Sequence, residues 1–251
     1  MRLTIVGCSG SYPGPESPAS CYLLEAEDGG RTWRVLVDFG NGALGPLHTY
    51  VDPLTIDAVL VSHLHADHCL DLCGYYVLRK YHPDGAQPRI PVWGPPGTAE
   101  RMARAYDLPL DPGMTAEFDF REWSDPVAIG PFTVTPVPVT HPVPAFGLRI
   151  SADGATVGYT GDTGPCDALD DVARDADLFL AEASFLEGKD NPPDLHLTGA
   201  DAGAAAARAG ARQLVLTHVP PWHDPEIPLA EARTTYDGPV ALARAGQTYE
   251  L

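Results

Sequence analysis

Seven residues constrain this chain more than any others: His63, His65, Asp67, His68, His141, Asp162 and His218. All are of types that bind metal ions. The densest part is His63-Leu64-His65-Ala66-Asp67-His68, an H-x-H-x-D-H run directly after the apolar stretch Ala58-Val59-Leu60-Val61. His63, His65 and Asp67 alternate, and in extended backbone alternate residues point to one side. Past a strand end the chain can turn His68 into a neighbouring position. Imidazole and carboxylate together suit zinc, and also manganese or iron. His141, Asp162 and His218 each lie beside a short strand-like segment. Seven such donors can hold two divalent ions side by side. If they serve one site, both halves of the chain must meet there, so residues 1–251 read as one domain. A chance histidine-rich loop is the bland alternative, but the run is strong alone and stronger with the three distant donors.

Composition narrows the class. Of 251 residues, 44% are hydrophobic and 20% charged, which predicts a soluble globular protein with a real core. The net charge is −18, with 16 Lys plus Arg and no basic run. Such a surface repels polyanions, because phosphate-backbone binding needs Lys and Arg to release counterions. The five cysteines, Cys8, Cys21, Cys69, Cys73 and Cys166, are odd in number and irregular in spacing. Leu3–Val6 reads as a strand rather than a leader. No apolar run approaches the ~18 residues of a membrane span. A cytoplasmic protein with reduced thiols is expected. Cys69-x-x-x-Cys73 has the wrong company for a zinc site and reads as ordinary buried helix packing.

Short strand patterns alternate with helical ones, giving an α/β expectation. Strands are predicted at Leu3–Gly7, Cys21–Glu25, Trp33–Asp38, Ala58–Ser62 and Ile90–Trp93, then within a β-rich stretch from Thr115 to Thr160. Further strands are predicted at Leu178–Ala181, Leu214–Thr217, Val240–Ala243 and Thr248–Leu251. Helices are predicted at Leu70–Tyr81, Gly97–Tyr106, Thr198–Gly210 and near Leu229–Tyr236. Thr198-x-x-Asp201 is a start signal, with Gly210 as its stop. The 26 Pro and 25 Gly are spread as turn punctuation and mark no linker.

This pattern resembles the metallo-β-lactamase fold superfamily over nearly the whole chain. The resemblance rests on the seven residues and on Gly7-Cys8-Ser9-Gly10-Ser11, Leu36-Val37-Asp38-Phe39-Gly40 and Tyr159-Thr160-Gly161-Asp162-Thr163. It implies a four-layer αββα sandwich. It implies that His63, His65 and His141 hold one metal, that Asp67, His68 and His218 hold the other, and that Asp162 bridges both. True β-lactamases carry Cys or Ser where this chain has Asp162. Thr140-His141-Pro142 with Phe146-Gly147-Leu148-Arg149-Ile150 is similar to the tRNase Z branch. There, the histidine matching His196, in Asp194-Leu195-His196-Leu197-Thr198, gives a proton to the leaving oxygen. Glu182, in Leu180-Ala181-Glu182-Ala183-Ser184, matches the acid that orients it. Asp67, His196 and Glu182 are thus the candidate catalytic residues. A helix-flanking structural histidine and a carboxylate satisfied by backbone donors are the alternatives for His196 and Glu182.

Two ions ~3.5–4 Å apart can polarise a phosphoryl group and activate water. Their formal charge exceeds that of Asp67 and Asp162, so an anion is attracted even in an acidic protein. The tRNase Z enzymes with this motif set carry a long tRNA-gripping arm between the third histidine and the bridging aspartate. Here that interval is 162 − 141 = 21 residues. The chain looks more similar to compact, arm-less bacterial cyclic-nucleotide phosphodiesterases. The resemblance implies hydrolysis of a small phosphodiester, 3′,5′-cyclic AMP or a related nucleotide, without stable nucleic-acid or membrane binding. A tRNA 3′-end nuclease and a lactone or thioester hydrolase are alternatives, and a non-enzymatic binding protein is disfavoured by the complete ligand set. Related proteins are often dimers, so a homodimer stays open. Asp38 is expected to support the site without ligating. The Gly7–Gly14 loop reads as a turn or a site-lining segment. His48, His82 and His223 read as surface residues. Trp222 reads as a packing aromatic, with flanking a substrate ring as the alternative.

Overall fold

The computed structural model describes residues 1–251. Fourteen strands form in chain order: β1 (Arg2–Gly7), β2 (Cys21–Asp28), β3 (Arg31–Val37), β4 (Ala58–Leu60), β5 (Ile90–Gly94), β6 (Phe118–Glu122), β7 (Val127–Ile129), β8 (Phe132–Pro138), β9 (Phe146–Ala152), β10 (Ala155–Tyr159), β11 (Leu178–Glu182), β12 (Leu214–Thr217), β13 (Val240–Leu242) and β14 (Thr248–Glu250). They make two seven-stranded sheets, ordered β14-β1-β2-β3-β4-β5-β6 and β13-β12-β11-β10-β9-β8-β7. The helices are α1 (Leu44–Leu47), α2 (Ala66–Cys69), α3 (Leu72–Tyr81), α4 (Thr98–Ala105), α5 (Ala168–Ala173), α6 (Gly199–Ala209) and α7 (Glu226–Ala232), with a 3-10 turn at Pro53–Thr55.

Strand alternation assigns the layers. In β3, Val35 and Val37 face a core shared by the two sheets, where they join Leu24, Leu60, Leu148, Val157 and Leu180. Leu36, between them, faces the outer core with Leu47, Leu72 and Tyr76 from the first helical layer. In β11 the same rule sends Leu178 and Leu180 inward and Phe179 and Ala181 outward, against Ala202, Ala206 and Leu229. Each sheet is apolar on both faces because each is covered on both, as expected for sheets with parallel strands. The result is the αββα sandwich that the resemblance implies.

Parallel pairing positions the site. β3 pairs parallel with β4, while β10, β11 and β12 pair parallel with one another. Their carboxyl ends therefore open in one direction within each sheet, the place where α/β sheets gather ligand-binding loops. Asp38 follows β3, His63 follows β4, Asp162 follows β10, Glu182 ends β11 and His218 follows β12.

Several local expectations shift. The strand predicted to reach Ser62 ends at Leu60, and the helix predicted from Leu70 begins at Leu72. Between them α2 takes up Ala66–Cys69, with His65 as its extended N-terminal boundary. The alternation of His63, His65 and Asp67 thus stops at His65, and Asp67 and His68 are carried by a helical turn. The last predicted helix lies earlier, at Glu226–Ala232, since Pro228 is tolerated in a first turn. α6 keeps both its signals: Thr198 and Asp201 close a reciprocal capping box, and Gly210 sits at φ 68°.

Candidate metal centre

The metal-type side chains converge from loops of both sheets. On one side, His63 Nε2 lies 3.1 Å from His65 Nδ1, and His141 Nε2 lies 3.3 Å from the same His65 atom. Asp162 Oδ2 is 3.6 Å from His63 Nε2. On the other side, His68 Nε2 is 3.1 Å from His218 Nε2, and Asp67 Oδ2 is 3.0 Å from His218 Nε2. Asp162 Oδ1 is 3.1 Å from His68 Nε2 and 3.5 Å from His218 Nε2. The two groups, His63–His65–His141–Asp162 and Asp67–His68–Asp162–His218, each offer donor atoms within 4.8 Å of one another. One carboxylate serves both, one oxygen toward each.

The remaining imidazole nitrogens show what these donors are for. His68 Nδ1 donates to Asp38 Oδ2 at 2.7 Å and His141 Nδ1 to the Leu195 carbonyl at 3.0 Å. Ser184 Oγ donates to the His218 carbonyl and accepts from His218 Nδ1, both at 2.8 Å. Ser62 Oγ donates to Asp38 Oδ2 at 2.8 Å and so accepts from His63 Nδ1 at 3.2 Å. Each of these four rings carries its proton on Nδ1, which leaves an Nε2 lone pair facing the others. The Nε2 atoms of His68 and His218, 3.1 Å apart, cannot form a hydrogen bond between neutral rings of this tautomer, and those of His63 and His141 face His65 Nδ1 at similar separations of 3.1–3.3 Å. These separations match the edge of a tetrahedron whose bonds are ~2.0–2.1 Å, about 3.3 Å. Asp162 Oδ1 is buried and has no hydrogen-bond partner, which is costly unless a cation compensates it. The residues present therefore fit divalent ions. Burial keeps His63, His65 and His141 below the ordinary histidine range, the neutral form a metal needs. Burial would raise Asp162, but any positive charge placed among His218, His68 and His63 outweighs it and holds the carboxylate well below its ordinary range, ionised as a metal needs.

Asp38 supports this centre as expected. Its carboxylate accepts the Ser62 N–H at 2.7 Å, the Ser62 and Tyr159 hydroxyls and His68 Nδ1. The residue sits at φ 56°, in the left-handed region that short polar side chains tolerate. Tyr159, Ser62 and Ser184 were not legible as site residues. The only signal was their place beside Asp162, His63 and Glu182.

Glu182 is fully buried. Its Oε1 accepts the Thr163 N–H at 2.8 Å and His196 Nδ1 at 2.9 Å. The backbone-satisfied carboxylate and the histidine-orienting carboxylate are thus the same group. His196 Nδ1 is 3.9 Å from Asp162 Oδ2, and its ring lies between those of His141 and His218. Burial alone would depress His196, but the charge and hydrogen bond of Glu182 outweigh it, and the group is pushed up to about 9.

Other candidates settle differently. Burial pushes Cys69 up to about 12 and its Sγ donates to the His65 carbonyl at 3.2 Å, so it packs beneath the cluster as a thiol. Cys73 is half-buried. His48 is exposed, whereas His82 and His223 are half-buried. The Gly7–Gly14 loop lines the site: His218 N–H donates to the Cys8 carbonyl at 3.0 Å, and a Cβ on Gly10 would stand 2.1 Å from the His218 carbonyl oxygen. The packing expectation for Trp222 is overturned, because the residue is 58% exposed. The Pro220-Pro221 segment before it turns the ring outward. No helix is long and apolar enough to cross a membrane.

A family model described as the β-lactamase superfamily domain matches residues 33–219. The chain belongs to this superfamily. Among superfamily relatives, the uncharacterized protein Rv1339 of Mycobacterium tuberculosis is 46% identical over 257 positions, covering all of this chain and 92% of its own length. The probable metallo-hydrolase YhfI of Bacillus subtilis is 30% identical over 252 positions, covering both chains fully. Ribonuclease Z of Myxococcus xanthus is 28% identical over 307 positions, covering 100% of this chain and 98% of its own. The crystal structure of YhfI superposes with a TM-score of 0.88 at 28% identity, covering 100% and 99% of the two chains. Human tRNase Z, short form, gives 0.77 at 22%, again over 100% and 99%. Unliganded yeast PDE1 gives 0.74 at 15%, over 100% and 99%, and shares the fold. With this membership and donor set, the protein is a metallohydrolase of the superfamily.

Proposed function

We propose that this superfamily member is a dinuclear phosphodiesterase acting on a small substrate, a 3′,5′-cyclic nucleotide such as cyclic AMP, opened to the 5′-monophosphate. The observation that carries the reading is Asp162, whose two oxygens face two separate donor groups. His63, His65 and His141 would hold one ion, Asp67, His68 and His218 the other, and Asp162 both. Zinc suits this set best, with manganese or iron as alternatives. When bound, such ions polarise a phosphoryl oxygen and make water nucleophilic near neutral pH.

The chain's own groups do the rest. Asp38, Ser184 and the Leu195 carbonyl lock the imidazoles in the ligating tautomer and orientation. Glu182 holds Nδ1 of His196 protonated and leaves Nε2 free to deliver a proton to the departing ribose oxygen. A cyclic phosphodiester has a poor alkoxide leaving group, so such an acid matters; an ester with a better leaving group would need it less.

Size supports a small substrate over RNA. The interval from His141 to Asp162 holds only the β9–β10 hairpin. The alignment with ribonuclease Z runs 307 positions against 251 residues here, so 307 − 251 = 56 of its positions have no counterpart. A concavity lined by Arg31, Arg34, Arg79 and Arg89 encloses about 450 Å³. Three of these are spent on Asp57, Glu25 and Asp119, which leaves little charge for a polyanion. The test is turnover by the zinc- or manganese-loaded protein. Cyclic AMP should be converted to 5′-AMP and precursor tRNA left intact; trimmed tRNA with intact cyclic AMP overturns the reading.

A further inference from the structure

The loop after β1 and the loop after β12 interlock beside His218. Ser11 N–H points at His218 Nε2 from 3.4 Å, and Gly10 N–H donates to the Val219 carbonyl at 3.2 Å. Each loop then carries one large aromatic outward. Tyr12 is 44% exposed and Trp222 58% exposed, and their rings meet at 5.4 Å with a 40° tilt. Neither is buried against the core, so together they leave a broad aromatic surface in water where burial would have been favourable.

The presentation is rigid. Ser9 Oγ donates to the Tyr12 carbonyl at 2.7 Å, and Tyr12 N–H donates to the Gly10 carbonyl at 2.7 Å. Pro220 and Pro221 fix the path to Trp222, His223 N–H closes the turn on the Pro220 carbonyl, and Trp222 Nε1 donates to His223 Nε2 at 3.1 Å. Gly14 leaves space for Pro221, whose Cγ would lie 3.2 Å from a Cβ there. A surface ordered before binding loses little conformational entropy when a flat ring lies on it.

We infer that Tyr12 and Trp222 form a stacking platform that selects substrates carrying a planar heterocycle beside the scissile phosphodiester. The inference rests on the phosphodiesterase reading above and adds its specificity element. Anchored on the segment that carries His218, the platform receives the base while the phosphodiester occupies the metal-type donors. Base–aromatic stacking tolerates any base, because every base has a π-face. The platform therefore selects for a nucleotide over a ring-free diester without fixing which nucleotide.

The test uses the full, metal-loaded chain and 5′-AMP as probe. Trp222 is the one exposed indole of four, so 5′-AMP should quench part of the fluorescence, and Trp222→Phe should abolish that part. Trp222→Ala should raise KM for cyclic AMP about tenfold with kcat within twofold, and Trp222→Phe should recover most of the loss. Inhibition by inorganic phosphate, which has no ring, should be unchanged in both variants. A quench that persists in Trp222→Phe, or an Ala variant whose kcat falls while KM stays, overturns the platform. Absence of cyclic AMP turnover with an intact quench overturns the phosphodiesterase reading alone.

Discussion

At the scale of single residues, the site divides into groups that would hold ions and groups that hold those groups. Asp162→Ala should reduce bound metal from about two ions per chain to one or fewer, read by elemental analysis, since both donor sets lose an oxygen. His196→Ala should keep both ions and lose turnover of an unactivated diester by about 10²–10⁴-fold. Glu182 has a distinct signature. His196 is raised above its ordinary value, so its acid form is present at neutral pH and lost as pH rises through about 9. Removing the carboxylate charge in Glu182→Gln should move the alkaline limb of kcat/KM toward lower pH. An unmoved limb would place the titration elsewhere. Of these residues, His63, His65, His68 and Asp162 stand out in the sequence because their types and order are unusual, whereas His196 is marked only by the resemblance. Tyr159 and Ser184 do not stand out, since a buried hydroxyl looks like any other until its partner is known.

At the scale of elements, the site is a set of turns at strand ends, and glycines let those turns touch. A Cβ on Gly40 would stand 2.0 Å from the Asp67 carbonyl oxygen, at the contact where Phe39 N–H donates to His68. Gly40→Ala should therefore part the Asp38 loop from α2, destabilising the fold by about 1–3 kcal/mol. That corresponds to a fall in melting temperature of several degrees, and the Asp67–His68–His218 set should also bind metal more weakly. A variant with unchanged melting and metal content would show that the loop yields freely. Strand and helix periodicity located most elements within a few residues. The helical turn at Ala66–Cys69 escaped it, because four residues are too short for a period to register. So did α1 and α5, for the same reason.

At the scale of the molecule, the donors come from both sheets: His63 to His68 follow β4, while His141, Asp162 and His218 follow strands of the second sheet. Ions bound here would tie the two sheets together at one end. Ligands that bind only the folded state stabilise it by mass action, about 2.7 kcal/mol at a hundredfold excess over Kd. Chelation should lower the melting temperature, and zinc should restore it; insensitivity to chelator would mean the centre forms without metal help. The sequence by itself determined an alternating α/β chain, its seven metal-type donors and the short His141–Asp162 interval, because these are written in residue type, period and spacing; the αββα layering and the two donor sets were only implied by the resemblance to the superfamily. Tertiary structure alone decided how the donors are divided. It sent one oxygen of Asp162 to each group, set Asp38 beneath His68, and joined Glu182 to His196. It also stood Trp222 against Tyr12 in solvent. Each of these depends on which strand ends become neighbours across two sheets, and strand pairing is a long-range property that no local pattern carries.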